Sequence, residues 1–381
     1  MSAHARRIVW FCTNVGGGIF GAGHTAAWRA LGLDARLHYA VELADYWRGK
    51  SGALARIGLR WSMYVLYPWR LWRKVRRAVP GEIFVAVTNP FFLPALAARA
   101  ARHNRAQVVH LVYDLYPDAL VFGGGWSRRH PAARFAARST RAAIAECAAT
   151  VYLGERLRAY AESRYGVARR TVVIPVGTDT TVFRDSEPAP RETGRVRCLY
   201  SGHMGRLHDW QTLADAVGRG VPEGVVLEVA ADGPGARDLK KRLAPRAQQN
   251  PGQVIFAGTR GQTEWRAAML SADVALVTMR PGAEKVVMPS KTYSAMAAGQ
   301  AILAVCPFES DLADLVRHHD CGWVIEPGDV SGLKQCLALL PQVPADILQK
   351  RRRAWQAAHA HYSMEAVGRH WLQLLQSING S

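Results

Sequence analysis

Apolar residues along this chain gather in short, strand-length runs, separated by longer stretches in which apolar positions recur at helical spacing. In the first half the runs fall at 7–13, 35–40, 83–88, 108–113, 150–153 and 171–174, and in the second at 197–201, 225–230, 253–257, 274–277, 301–305 and 323–325. Strands that are apolar on both faces and alternate with helices belong in a parallel sheet covered on both sides. The polar stretch 184–195, RDSEPAPRETGR, carries two prolines and reads as a linker. The expectation is therefore two doubly wound α/β domains, 1–185 and 186–381, facing a central cleft to which the carboxyl ends of both sets of strands contribute loops. Residues 346–379 read as helical throughout. With 381 residues and 49 % hydrophobic composition, each half is long enough for its own core, which excludes extensive disorder.

Charge changes this picture in one respect. The net charge of +19 sits almost wholly in the first half, where 27 Lys and Arg face 11 Asp and Glu, against 22 and 19 in residues 186–381. Such asymmetry points to an anionic partner for one domain. The segment 56–79, RIGLRWSMYVLYPWRLWRKVRRAV, concentrates it, interleaving aromatics with arginines. Arg70, Arg73, Lys74 and Arg77 share one helical face with Trp72 at its flank, which suits the headgroup zone of an anionic membrane. Nucleic acid would also use such residues, but no recognised nucleic-acid module accompanies them and none is expected as a partner. The six cysteines lie apart, with no C-x-x-C pair and no His/Cys cluster at metal spacing, and read as reduced core thiols. MSAHARR leads into a strand rather than a leader, and no 18-residue uncharged apolar stretch exists, so the expected location is cytoplasmic and peripheral at the inner face of the cell membrane.

Candidate chemistry lies in glycine-rich turns after strands. Gly16, Gly18 and Gly21 match G-x-G-x-x-G, with Glu42 near the end of the second strand; this permits a dinucleotide-dependent oxidoreductase, a glycine-rich substrate loop, or a plain turn. GHMGRLHD, 202–209, puts Gly202, Gly205, Arg206 and His208 between a strand and a helix, where a glycine turn and a guanidinium can hold diphosphate oxygens. ADGPG, 231–235, is a second such turn. In MPSKTYSAMAAGQAILAV, 288–305, a Pro-Ser pair opens a helix, Gly299 stops it and a buried strand follows, an arrangement suited to holding an anion.

Taken in order, YSGHMGRLHDWQTLADA, LEVAADGPGARDLKKRL, VIFAGT, MLSADVALVTM, VMPSKTYSAMAAGQAILAV and CGWVIEPGD resemble the nucleotide-sugar domain of glycosyltransferase family 4, a family of retaining enzymes with the GT-B fold. VVHLVYDLYPD and VVIPVGTDTTVF resemble its strand-end acidic and domain-closing motifs. The similarity is closest to members that build lipopolysaccharide and other surface polysaccharides. It implies a nucleotide diphosphate sugar held mainly by the second domain and a lipid-linked or saccharide acceptor held mainly by the first, with no bound metal or other cofactor. Arg206 matches the diphosphate-binding arginine, and Ser290 and Lys291 fall where the helix start meets the diphosphate. Thr259 and Arg260 would face the base, Gly17 and Gly18 would close over the sugar, and Asp114 matches the acid near the reacting sugar. Two positions depart from the pattern. The ribose-holding glutamate is replaced by Ser294, and its companion falls at Val286, with Glu284 two residues earlier as a substitute. The arginine's usual lysine partner has no counterpart nearer than His208. These departures leave room for an unusual donor, reduced activity, or a binding protein that has lost catalysis.

Overall fold

The computed structural model describes residues 8–17, 19–49, 52–190, 194–258 and 260–378. The chain forms two compact units, one of residues 1–121, 125–176 and 364–381, the other of 122–124 and 177–363.

The first unit holds a six-stranded parallel sheet of β1 (Ile8–Gly16), β2 (Asp34–Glu42), β3 (Ile83–Val87), β4 (Gln107–Leu111), β5 (Ala149–Tyr152) and β6 (Thr171–Val173), in the order β2-β1-β3-β4-β5-β6. All five residues of β3 are buried, as a run with no polar face demands. Helix Met364–Ile378 also belongs here, although it follows the last strand of the other unit and the boundary at 185/186 assigns it to the second domain. Its Trp371 packs on Trp28 at 5.2 Å between ring centres, and both indoles are buried.

The second unit has six parallel strands, β7 (Val196–His203), β8 (Val225–Asp232), β9 (Val254–Ala257), β10 (Val274–Thr278), β11 (Ala301–Val305) and β12 (Gly322–Ile325), in the order β12-β11-β10-β7-β8-β9. Chain direction across the sheet reverses between β7 and β10, the position where doubly wound sheets open a crevice beyond their strand ends. Leu213, Leu227, Leu239, Leu276, Leu303 and Leu333 form part of its core. The short helix Lys291–Ala297 ends at Gly299, whose φ of +71° suits a residue without Cβ; a Cβ there would also lie 2.5 Å from Cγ of Pro188. The cysteines Cys12, Cys147, Cys198, Cys306, Cys321 and Cys336 are free thiols, and all but Cys336 are buried.

Candidate functional site

Beyond the end of β7 the chain turns through 202–209. Backbone bonds from Met204 to Asp232 (2.8 Å), from Gly235 to Met204 (3.0 Å) and from Arg280 to Leu207 (3.0 Å) pin this loop to the ends of β8 and β10. Gly233 is the residue that permits the approach: with φ +99°, a Cβ on it would lie 2.7 Å from both the Met204 carbonyl oxygen and the His203 ring. Gly202 has open space above it, and Gly205 lies within contact range of the His203 ring. The loop thus has a fixed backbone and an accessible rim. Arg206 projects from that rim, exposed, and its guanidinium has no hydrogen bond or ion pair among the described residues.

Lys291 reaches the same loop from the start of its helix. Its Nζ donates to Tyr200 Oη at 2.6 Å and to the His203 carbonyl at 2.9 Å, and lies 4.1 Å from the Tyr200 ring centre. An ammonium has three N–H groups, so one remains for a ligand. Burial lowers its pKa to about 7, against the opposing pull of Asp232. Asp232 is itself engaged by His203, with Nδ1 2.7 Å from Oδ1. His208 accepts the Gly205 N–H on Nδ1 at 3.0 Å, and burial, followed by Lys291 and His203, lowers its pKa to about 3. It is therefore a neutral imidazole whose Nε2–H is a donor, and it supplies no charge in place of the lysine that the sequence lacks.

The other predicted donor contacts are placed differently. Ser290 precedes the helix but its hydroxyl does not cap it. Ser294 donates to the Lys291 carbonyl at 3.0 Å and lines, with Ser201, Gly202, Trp265, Lys291 and Gln300, a cavity of about 140 Å³. Val286 is buried, and the Glu284 carboxylate accepts the Gly282 N–H at 2.6 Å, so neither projects as the missing acid would. Arg260 is ion-paired with buried Glu228, which also holds Arg197 at 2.7 Å. That pairing ties the Arg260 guanidinium to β8. Thr259 and Gly18 lie outside the described residues.

In the first unit, Asp114 follows β4. The Thr88 hydroxyl accepts the N–H groups of Tyr113 (3.2 Å) and Asp114 (3.3 Å), which fixes the turn, while the carboxyl makes no hydrogen bond or ion pair among the described residues. Burial raises its pKa to about 6. Gly17, with φ +70°, lies at the exposed end of β1. The neighbouring glycines have packing roles: a Cβ on Gly16 would lie 2.7 Å from the Tyr39 ring, and one on Gly21 would lie 3.0 Å from Leu37. Glu42 is hydrogen-bonded by the Tyr39 phenol.

The predicted basic face proves to be divided. Lys74 Nζ sits 3.5 Å from the Trp10 ring centre, turned onto β1, and Trp72 is partly buried against the core. Arg73 covers Trp69 at 4.7 Å, while Arg70 and Arg77 are exposed. The helical spacing of the cations was readable; their division between core and solvent depends on which side packs on the sheet.

Sequence reasoning missed Tyr200 and His203 as the groups that hold Lys291, and Asp232 as the partner of the His203 ring. The signal for them was a strand ending in polar-tipped residues immediately before each glycine turn. Among the described residues, no group of three or more His, Cys, Asp or Glu is arranged to hold a metal ion, and no helix is long and apolar enough to cross a membrane.

Residues 13–182 match the family described as Glycosyltransferase Family 4, and residues 195–341 match the one described as Glycosyl transferases group 1. A probable glycosyltransferase, WbjE of Pseudomonas aeruginosa, is 24 % identical over 292 residues, 72 % of each chain. Among solved structures, sucrose-phosphate synthase of Thermosynechococcus elongatus superposes with a TM-score of 0.73 at 16 % identity, covering 98 % of this chain and all of that one. Anabaena HepE in complex with UDP and glucose gives 0.71 at 15 % identity, covering 97 % and 100 %. These likenesses identify the fold as GT-B.

Proposed function

The chain belongs to glycosyltransferase family 4, and from that premise we propose that it transfers one sugar from a nucleoside diphosphate donor to a hydroxyl of a lipid-linked saccharide, with retention at the anomeric carbon, in the assembly of a surface polysaccharide or glycolipid. The observation that carries the donor half is the convergence at the end of β7: unpartnered Arg206, the spare N–H of Lys291 and neutral His208 surround an open glycine turn. Two cations and a neutral donor suit a diphosphate, whose charge grows as it departs. The UDP bound by HepE, a protein of the same fold, supports uridine as the base to test first.

In the proposed reaction the acceptor oxygen bonds to the anomeric carbon on the face from which the diphosphate leaves. The hydroxyl proton passes to the departing phosphate oxygen. Asp114, mostly ionised at pH 7, orients the sugar or the acceptor hydroxyl, and charge stabilisation by Arg206 and Lys291 supplies much of the rate. No step calls on a metal, so transfer should persist in EDTA. The excess of cations in residues 1–185 supports work at the inner, anionic face of a membrane, where a lipid-linked acceptor resides.

The deciding experiment incubates the protein with UDP-, GDP- and ADP-sugars and a lipid extract, then follows glycolipid formation by mass spectrometry and the anomeric configuration by NMR. Nucleotide-sugar binding without transfer or hydrolysis on any extract would instead favour a non-catalytic protein, a reading to which the hydrogen bond of Ser294 to its own helix gives some weight.

A further inference from the structure

Residues 53–76 form a rod of three consecutive pieces, helix Ala53–Trp61, the π-turn Ser62–Leu66 and helix Tyr67–Arg76. Only part of it packs on the first sheet: Met63, Tyr67, Leu71 and Val75 are buried, whereas helix Ala53–Trp61 buries no residue at all. A different set of apolar side chains faces outward. Leu54 (84 % exposed), Ile57 (64 %), Trp61 (57 %), the adjacent pair Tyr64 and Val65, and Trp69 recur at helical spacings of three and four, and the i→i+5 turn absorbs the change of phase between the two helices. The stripe spans 16 residues, or roughly 22 Å at the helical rise. A continuous apolar stripe of this length facing water marks an interaction surface.

Charge identifies the occupant. Residues 52–79 contain seven Lys and Arg and no Asp or Glu. Arg56, Arg60, Arg70 and Arg76 are exposed, while Arg73 and Arg76 lie over Trp69 and Trp72 at 4.7 and 5.1 Å. An apolar face rimmed by cations, with indoles at the boundary, matches the interface of an anionic bilayer, where aromatic rings sit at headgroup depth and arginines meet phosphates. We propose that the Leu54–Trp69 stripe inserts into the surface of an anionic membrane, so that apolar and aromatic insertion, rather than the basic face alone, holds the protein there. The insertion does not depend on the donor chemistry proposed above.

The test uses the full chain and vesicles of phosphatidylcholine with roughly 30 % phosphatidylglycerol, with L54Q/I57Q/W61Q as the variant. These side chains are exposed, so the variant should keep its Tm and its calorimetric binding of nucleoside diphosphates, while vesicle partitioning in sedimentation falls on the order of 100-fold. Brominated lipids should quench the wild-type tryptophan fluorescence and quench W61F/W69F distinctly less. Failure of the wild-type protein to bind vesicles, or equal binding by the variant, would overturn the proposal. So would a variant whose only change is from dimer to monomer, because the stripe would then cover a second copy of the chain. Loss of nucleotide binding with vesicle binding intact would instead refute the donor site and leave the stripe standing.

Discussion

Replacing Lys291 by Met should leave the protein as stable as before or more so, while weakening its grip on a nucleoside diphosphate. The lysine's pKa falls from 10.5 to about 7, which at 1.36 kcal/mol per unit is at most about 5 kcal/mol of preference for the neutral form. Lys291 is only half-buried, and solvent screening reduces the effective penalty to roughly 2–4 kcal/mol. Methionine forfeits the two hydrogen bonds of Nζ, about 1 kcal/mol each. Tyr200 keeps a bond from its hydroxyl to the His203 carbonyl at 3.4 Å, so it is not orphaned. The balance is a gain between zero and about 2 kcal/mol, a rise in Tm of up to roughly 6 °C. The sign with pH is specific. Because the folded pKa lies below the unfolded one, the unfolded chain binds more protons between pH 7 and 10.5, and the penalty is full below pH 7 and fades as pH rises through that window. The stability difference between variant and wild type should therefore shrink from pH 7 to pH 10. In calorimetric titration with UDP at pH 7, loss of a charge-assisted contact should weaken binding roughly 10- to 100-fold. Wild-type binding at pH 8 should take up a proton, seen as a dependence of the apparent enthalpy on buffer ionisation. A clear fall in Tm together with unchanged UDP affinity would show that Lys291 is a structural hydrogen-bond donor and refute the reasoning.

Other expectations follow from the same geometry. Arg206→Ala, which breaks no internal contact, should leave Tm unchanged and weaken nucleoside diphosphate binding by about 2 kcal/mol or more; unchanged affinity in titration would remove Arg206 from the site. With Asp114 at about 6, its ionised form and hence kcat/KM should rise from pH 5 to 7. Asp114→Asn should lose activity and that pH dependence while matching or exceeding wild-type stability at pH 7, since an unpartnered, half-buried carboxylate is costly; a retained acid limb would assign it to another group. Ser294→Glu should tighten donor binding if a ribose lies beside the Ser294 cavity, and no change in affinity would show that the pocket has been rebuilt.

All twelve strands were legible because each is a short apolar run flanked by turn residues, and the end of helix Lys291–Ala297 because Gly299 occupies a left-handed position. The assignment of Met364–Ile378 to the first unit was not legible. Its sequence shows an apolar face, but the partners of that face, Trp28 and its neighbours, lie more than three hundred residues away in the chain. The site divided in a similar way. Arg206 and Lys291 could be named because glycine turns and a helix start have local signatures, whereas the cage around Lys291 is tertiary: Tyr200 and the His203 carbonyl accept from its ammonium, and Asp232 on the adjacent strand engages the His203 ring. Arg260 shows the converse, since the family resemblance turns its loop toward the base while the buried Glu228 of β8 holds its guanidinium. The basic segment misled for a related reason, because cation spacing defines a helical face but not which face meets the sheet, and Lys74 was drawn inward onto Trp10.

The most direct test of the central claim, a nucleoside diphosphate sugar seated at the end of β7, is hydrogen–deuterium exchange with and without saturating UDP and UDP-sugar. The account predicts slowed exchange concentrated in 200–209 and 288–300. Protection confined to 16–21 and 34–42, with those two segments unchanged, would place the nucleotide on the first glycine loop and contradict it.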